Sequence, residues 1–127
     1  MSRINYSSGS PFEKEIGFSR AVRAGNQIFV SGTAPLSTDG STAFPGDAYS
    51  QTKTCLELMK KIIEQAGGQW HSVVRTRIYL KNAADWKEVA KAHSELLSDI
   101  QPACTFIEVK GFIDPDWLVE TEAHCIL

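Results

Sequence analysis

The stretch "QPACTFIEV", residues 101–109, decides how this chain is read. Pro102 and Ala103 open it as a turn would, and the residues after them alternate in the manner of a strand. Ala103, Thr105, Ile107 and Val109 share one face by this period; Cys104, Phe106 and Glu108 share the other. A strand this late in the chain needs partners, and the flanking sequence supplies them. Residues 118–126 alternate as well, with Val119, Thr121, Ala123 and Cys125 on one face and Leu118, Glu120, Glu122, His124 and Ile126 on the other. Upstream, "VVRTRIYL" at 73–80 separates Val74, Thr76, Ile78 and Leu80 from Val73, Arg75, Arg77 and Tyr79.

Between these strands the period changes. Ala48, Thr52, Cys55, Met59, Ile62 and Ala66 recur at helical steps of four and three. Asp47 precedes them as an N-cap, and Gly67-Gly68 closes the helix. Cys55 lies in the stripe and reads as core. A second helix is expected from Ala83 to Ser98, with Trp86, Val89, Ala90, His93 and Leu97 inward. His93 there reads as a satisfied boundary histidine rather than a ligand. Near the start, "FSRAVRAGNQIFVSG" at 18–32 reads as two strands around Gly25-Asn26. Residues 35–46, rich in Pro, Gly, Ser, Thr and Asp, read as a loop.

The order is therefore strand pair, helix, strand, helix, strand, strand. Two helices cover one face of such a sheet, which makes the fold α+β. With the apolar faces under the helices, the opposite face carries Arg75, Arg77, Tyr79, Cys104, Phe106, Glu108, Glu120, Glu122 and His124. That face is too aromatic for plain solvent and too charged for a core. A subunit interface or ligand cleft satisfies both, with charges paired across it. A solvated sheet with cross-strand ion pairs is the alternative.

Composition narrows the function classes. The chain has 127 residues, expected to form one domain over 1–127. Its net charge of −2 and lack of a basic run argue against nucleic acid and an anionic membrane surface. No stretch is long and apolar enough for a membrane span, and the first ten residues lack the apolar core of a signal peptide. Cys55, Cys104 and Cys125 form no CxxC pair, as expected of a reduced, cytoplasmic protein. His71, His93 and His124 are widely separated, so neither metal nor cofactor is expected.

Four blocks, "GFSRAVRAGNQIFVSGTAP", "VVRTRIYLKNAADW", "QPACTFIEV" and "LVETEA", together resemble the Rid (reactive intermediate deaminase, YjgF-like) family in the family's own order. The resemblance implies a chorismate-mutase-like fold, a homotrimer, and small-molecule clefts between subunits. In deaminating members an arginine after Pro-Ala clamps the substrate carboxylate, a tyrosine and a serine line the pocket, and a glutamate positions water. Matched residue by residue, Ser31 is the pocket serine and Glu120 the glutamate. Phe18 stands at the tyrosine position and lacks its hydroxyl. Cys104 stands where the arginine would be, and Phe106 where many members carry cysteine. This pattern resembles the branches of the family that lack the arginine.

Three readings follow. The chain is an imine or enamine hydrolase, a binder of an apolar metabolite, or an endoribonuclease; the negative charge makes the last weakest. Cys104 reads as a neutral filler of vacated space, or as a nucleophile if Arg75, Arg77 or His124 lowers its pKa. Glu122 reads as a partner of Arg75 or Arg77, and Glu120 as acid/base group or ion-pair member. Arg20 can feed a cation to the cleft, or be a solvated or interface arginine. Deamination of 2-aminoacrylate is expected to be weak or absent.

Overall fold

The computed structural model describes residues 2–127, in which three signals meet: the hairpin, the long helical stripe and the late alternating strands. The strands are β1 (Arg3–Tyr6), β2 (Ala21–Ala24), β3 (Gln27–Thr33), β4 (Val73–Leu80), β5 (Ala103–Glu108) and β6 (Val119–Ile126). The helices are α1 (Pro11–Ile16), α2 (Ala48–Gln65) and α3 (Trp86–Leu97), with short 3₁₀ turns at Trp70–Ser72 and Ala83–Asp85. The strands form one sheet in the order β1-β2-β3-β6-β4-β5, antiparallel except for the β4–β5 pair.

Local chemistry sets these elements. Gly25 has φ +61° at the first position of the β2–β3 turn, which a two-residue hairpin with glycine there requires. Asp47 accepts from the Ser50 amide at 3.0 Å and caps α2. At the other end Arg23 Nη1 donates to the Ala66 carbonyl at 2.9 Å, placing a cation on the free carbonyls of the last turn. The whole predicted α2 stripe is buried, from Ala48 to Ala66, against Ile28, Ile78, Val119 and Cys125 of the sheet.

The expected inward positions of the second helix need two changes. Trp86 is 51% exposed, whereas Ala92 is fully buried beside Val89 and Leu97. Trp86 is the first residue of the helix; its ring reaches solvent and lies under the Lys87 ammonium. His93 is satisfied as expected: its Nε2 meets Thr76 Oγ1 at 2.9 Å, and burial holds its pKa below the usual value.

The larger correction concerns β5. Its parallel register aligns Thr76 with Cys104 and Ile78 with Phe106. Aligned residues share a face, so Cys104, Phe106 and Glu108 lie on the helix side. Phe106 meets the His93 ring edge-on, at 6.0 Å between centroids. Ala103, Thr105 and Ile107 instead join Arg77 and Tyr79 on the open face. The expected grouping of Cys104, Phe106 and Glu108 with Arg75, Arg77, Tyr79, Glu120, Glu122 and His124 is therefore wrong by one residue of register. For β6 and for β4 from Arg75 onward it is right: Arg77 faces Glu122 and Tyr79 faces Glu120. At the start of β4 the expected faces are reversed, because the register shifts between Val73 and Arg75: Val73 is buried and Val74 is exposed.

Candidate functional site

The site grows from the end of β3 and the beginning of β6. The β3–β6 register shifts between Val30 and Thr33, which sets Ser31 and Gly32 in an irregular step. Ser31 is held to the segment before β2 by two bonds. Its amide donates to the Arg20 carbonyl at 3.0 Å and its hydroxyl to the Ser19 carbonyl at 2.6 Å. Gly32 has a different task. A Cβ built there would lie 3.3 Å from Cδ and Oε1 of Glu120, so the absent side chain is what lets the carboxyl lie against β3.

Arg20 organises the other side. Its Nη2 donates to the Gly32 carbonyl, and the guanidinium carbon stands 5.5 Å from the centre of the Phe18 ring. Burial lowers its pKa; the charges of Glu13 and Glu120 oppose that shift. Glu13 is 4% exposed and accepts from the hydroxyls of Ser7 and Ser8 and from the Ser8 amide. Burial pushes the Glu13 carboxyl up, but these donors outweigh it and leave its pKa low. Arg20 is thus a packed, bonded cation that feels the charges of two acids.

Glu120 differs from Glu13. Burial raises its pKa, Arg20 partly offsets that, and Glu122 adds to it. No hydrogen-bond donor contributes to its state, unlike Glu13. A half-buried carboxylate without a donor is poised to accept a proton from a bound water. Its place depends on Gln51, which is fully buried in α2. The Gln51 amide donates to the Asp116 carbonyl at 3.0 Å and accepts from the Leu118 amide at 2.8 Å, fastening the chain that enters β6.

On the open face Glu122 takes the Tyr79 hydroxyl at 2.7 Å and Arg77 Nη1 at 3.3 Å. The bond to Glu122 raises the Tyr79 pKa. Phe29 stacks on His124 with centroids 4.4 Å apart, and His124 Nε2 meets Gln27 Oε1 at 2.9 Å. Among the described residues Arg75 has no acidic partner within 4 Å. Phe29, Ile107 and Ile126 are each close to half exposed here.

Of the sequence-derived site residues, then, Phe18, Arg20, Ser31 and Glu120 gather at one end of β3 and β6. Cys104 and Phe106 do not join them within one chain. Strands β6 and β4 intervene between β3 and β5, so Ser31 is about 14 Å from β5 at normal strand spacing; from Glu120 on β6 only β4 intervenes, about 10 Å, and Cys104 and Phe106 lie on the other face of the sheet. Cys104 is exposed at that far edge, whereas burial raises the thiol pKa of Cys55 out of the reactive range and that of Cys125 to about 11. Glu13, Gly32 and Gln51 were not anticipated. Glu13 follows the Ser10-Pro11 helix start, where serine caps and proline opens a helix, and that signal was legible. Gln51 follows Ala48 by three residues and so belongs to the buried stripe. Among the described residues no three His, Cys, Asp or Glu side chains gather as a metal would need. Among the described residues no helix is long and apolar enough to cross a membrane.

Comparison with known proteins agrees with this fold. The family model described as Endoribonuclease L-PSP matches residues 10–127. A RutC family protein of Pyrococcus abyssi is 36% identical over 111 residues, 87% of either chain. The 3-aminoacrylate deaminase RutC of Acinetobacter baylyi is 34% identical over 100 residues, 79% of either chain. The crystal structure of Rv2704 from Mycobacterium tuberculosis, a member of the YjgF/YER057c/UK114 family, is 39% identical with a TM-score of 0.89. That match covers 99% of this chain and 100% of the other, and it agrees with the α+β, chorismate-mutase-like fold. On the span of the family model and the likeness of these relatives, the chain belongs to the Endoribonuclease L-PSP family, the YjgF/RutC group.

Proposed function

We propose that the protein acts on an imine- or enamine-type metabolite by adding water, in clefts between the subunits of a homotrimer. Family membership supports an imine deaminase or small-molecule-binding role. The observation that carries the finer reading is Glu120: a half-buried carboxyl without a donor, fitted against Gly32 and beside the fixed cation Arg20. Phe18 and Ser31 line the same end. Two facts support completion by a second subunit. Cys104 and Phe106 lie across the sheet from Glu120, and the open face keeps Phe29, Ile107 and Ile126 exposed. Burial of that face against another copy removes apolar surface from water. We place the protein in the cytoplasm as a one-domain chain, on its three free thiols.

The chemistry balances without a cofactor. Water bonds to the imine carbon while the C=N electron pair moves to nitrogen, and Glu120 accepts the water proton. That proton passes to nitrogen to give a carbinolamine; Glu120 then carries the carbinolamine's hydroxyl proton to nitrogen as the C=O bond forms and the C–N bond breaks, and a carbonyl compound and ammonia leave. With Cys104 at the arginine position, 2-aminoacrylate is a poor substrate, because nothing forks onto its carboxylate.

A binding-only role is the second reading, favoured by the neutral Cys104 and Phe106. A ribonuclease role finds no support in a net charge of −2. The test is ammonia release from a panel of imines by the wild type and by Glu120→Gln. Turnover lost in the variant supports the hydrolase. Saturable binding without turnover on any imine replaces it with the binder.

A further inference from the structure

We infer that the open face of the sheet carries a second binding site, for a small monocarboxylate with an apolar body, seated on Arg75 and Arg77. The site stands apart from Glu120 and does not depend on that residue's role. A cavity of about 440 Å³ opens on this face, lined among others by Val22, Phe29, Arg75, Arg77, Glu122 and His124 but not by Glu120. Small-molecule sites have volumes of this order. The sheet register explains the grouping. Phe29 and Arg75 both stand opposite His124, so the three form one row across β3, β6 and β4. Glu122 and Arg77 form the next row on the same face. The two arginines are thus about 7 Å apart along one strand.

Charge decides what enters. Arg77 gives one nitrogen to Glu122, at 3.3 Å, and its side chain is half-exposed. A guanidinium carries several N–H donors, so most of the Arg77 fork stays free. Arg75 has no acidic partner within 4 Å among the described residues. Two arginines against one glutamate leave a single positive charge in excess on the cavity wall. Planar guanidinium donors fork onto a planar carboxylate. A dianion would exceed that charge and meet Glu122, so a monocarboxylate fits better than a phosphate ester. Ser31 reaches the same cavity, but its hydroxyl proton goes to the Ser19 carbonyl, which leaves the arginines as the donors. Phe29 supplies the apolar wall: it is 45% exposed, stacks on His124 and stands opposite Val22 of β2. Enclosure of this face in a trimer increases the demand, since an unpaired guanidinium away from water is costly. The cavity does not replace the missing arginine. The carboxylate of 2-aminoacrylate is bonded to its reacting carbon, whereas Arg75 lies four residues along β4 from Tyr79, the residue opposite Glu120. That is about 13 Å at the rise of a strand.

The test is titration calorimetry of the purified full chain with phenylacetate, acetate, 2-phenylethylammonium and phenyl phosphate. Phenylacetate should bind saturably, and roughly tenfold or more tightly than acetate or 2-phenylethylammonium. Phenyl phosphate should bind more weakly than phenylacetate. Arg75→Gln should weaken phenylacetate by roughly 10- to 100-fold, the range of one charge-assisted contact. Arg75→Lys, which keeps the charge and loses the fork, should weaken it by less. Phe29→Ala should remove most of the advantage of phenylacetate over acetate. Lys60→Gln removes an exposed charge on α2 and should leave the affinity within about twofold. Absence of saturable phenylacetate binding, as when a partner subunit's acid already holds Arg75, overturns the inference. So does binding that survives Arg75→Gln, or phenyl phosphate bound as tightly as phenylacetate. None of these readouts is imine turnover, so the hydrolase reading stands or falls separately.

Discussion

Replacing Arg20 by methionine tests how the site is held. The substitution keeps much of the apolar stem and removes the guanidinium. Lost are the charged bond to the Gly32 carbonyl, about 1.5–3 kcal/mol, and the cation over Phe18, about 0.5–1 kcal/mol. The charge balance of Glu13 and Glu120 goes too. Opposing these losses is relief of a buried Nε with no hydrogen-bond partner, about 1 kcal/mol. The net expectation is a loss of about 1–3 kcal/mol. For a chain of this length that lowers Tm by roughly 3–15 °C. Scanning calorimetry of wild type, Arg20→Met, Glu120→Gln and the double variant gives the coupling as well. The two single effects should fail to add, because unpairing Glu120 contributes to the cost of removing Arg20. A Tm drop under 2 °C, or strict additivity, refutes the view that Arg20 anchors Glu120.

Three further outcomes follow from the same geometry. Glu120 has a folded pKa raised by burial, so its neutral form favours the folded state fully below the unfolded value of 4.5 and that benefit is lost as pH rises through the folded value. Glu120→Gln should therefore match or exceed wild-type Tm at pH 7, with the advantage shrinking toward pH 4.5; a large loss at pH 7 would make the carboxylate structural. Cys104→Arg should gain 2-aminoacrylate deamination by roughly 30-fold or more, from the 2–5 kcal/mol of a desolvated charged contact. No gain in ammonia release would show that the cleft differs elsewhere. Gly32→Ala, whose Cβ would crowd the Glu120 carboxyl at 3.3 Å, should spare Tm and depress turnover about tenfold. An unchanged value would detach Gly32 from the site.

The elements read most directly from sequence are those whose signal is local. The α2 stripe, the Gly25 hairpin and the β6 alternation each lie within a single segment, and each stands as expected. The faces of β5 were misassigned because its register is set by a crossover through α3. Moreover, every residue of β5 except Phe106 is exposed in the single chain, so its pattern is weak on both faces. Strand β1 and helix α1 were missed because four and six residues give too short a period to read. At the site, Ser31 and Glu120 were legible as motif positions and Phe18 by alignment to them. The roles of Gly32 and Gln51 were not, since each depends on a contact far along the chain. Arg20 was visible, but its commitment to Gly32 was not.

Cross-linking tests the composite cleft most directly, and it needs no substrate. In Ser31→Cys protein, the new thiol and Cys104 lie about 14 Å apart across β6 and β4 of one sheet and on opposite faces of it. A bis-maleimide spanning about 8 Å, shorter than that gap, therefore cannot join them within a chain. If Cys104 of one subunit faces Ser31 of the next, the reagent will give covalent dimers and trimers on a denaturing gel, and the Cys104→Ser background will abolish them. Monomers alone, with both thiols shown by mass spectrometry to be labelled, would contradict a cleft shared between subunits.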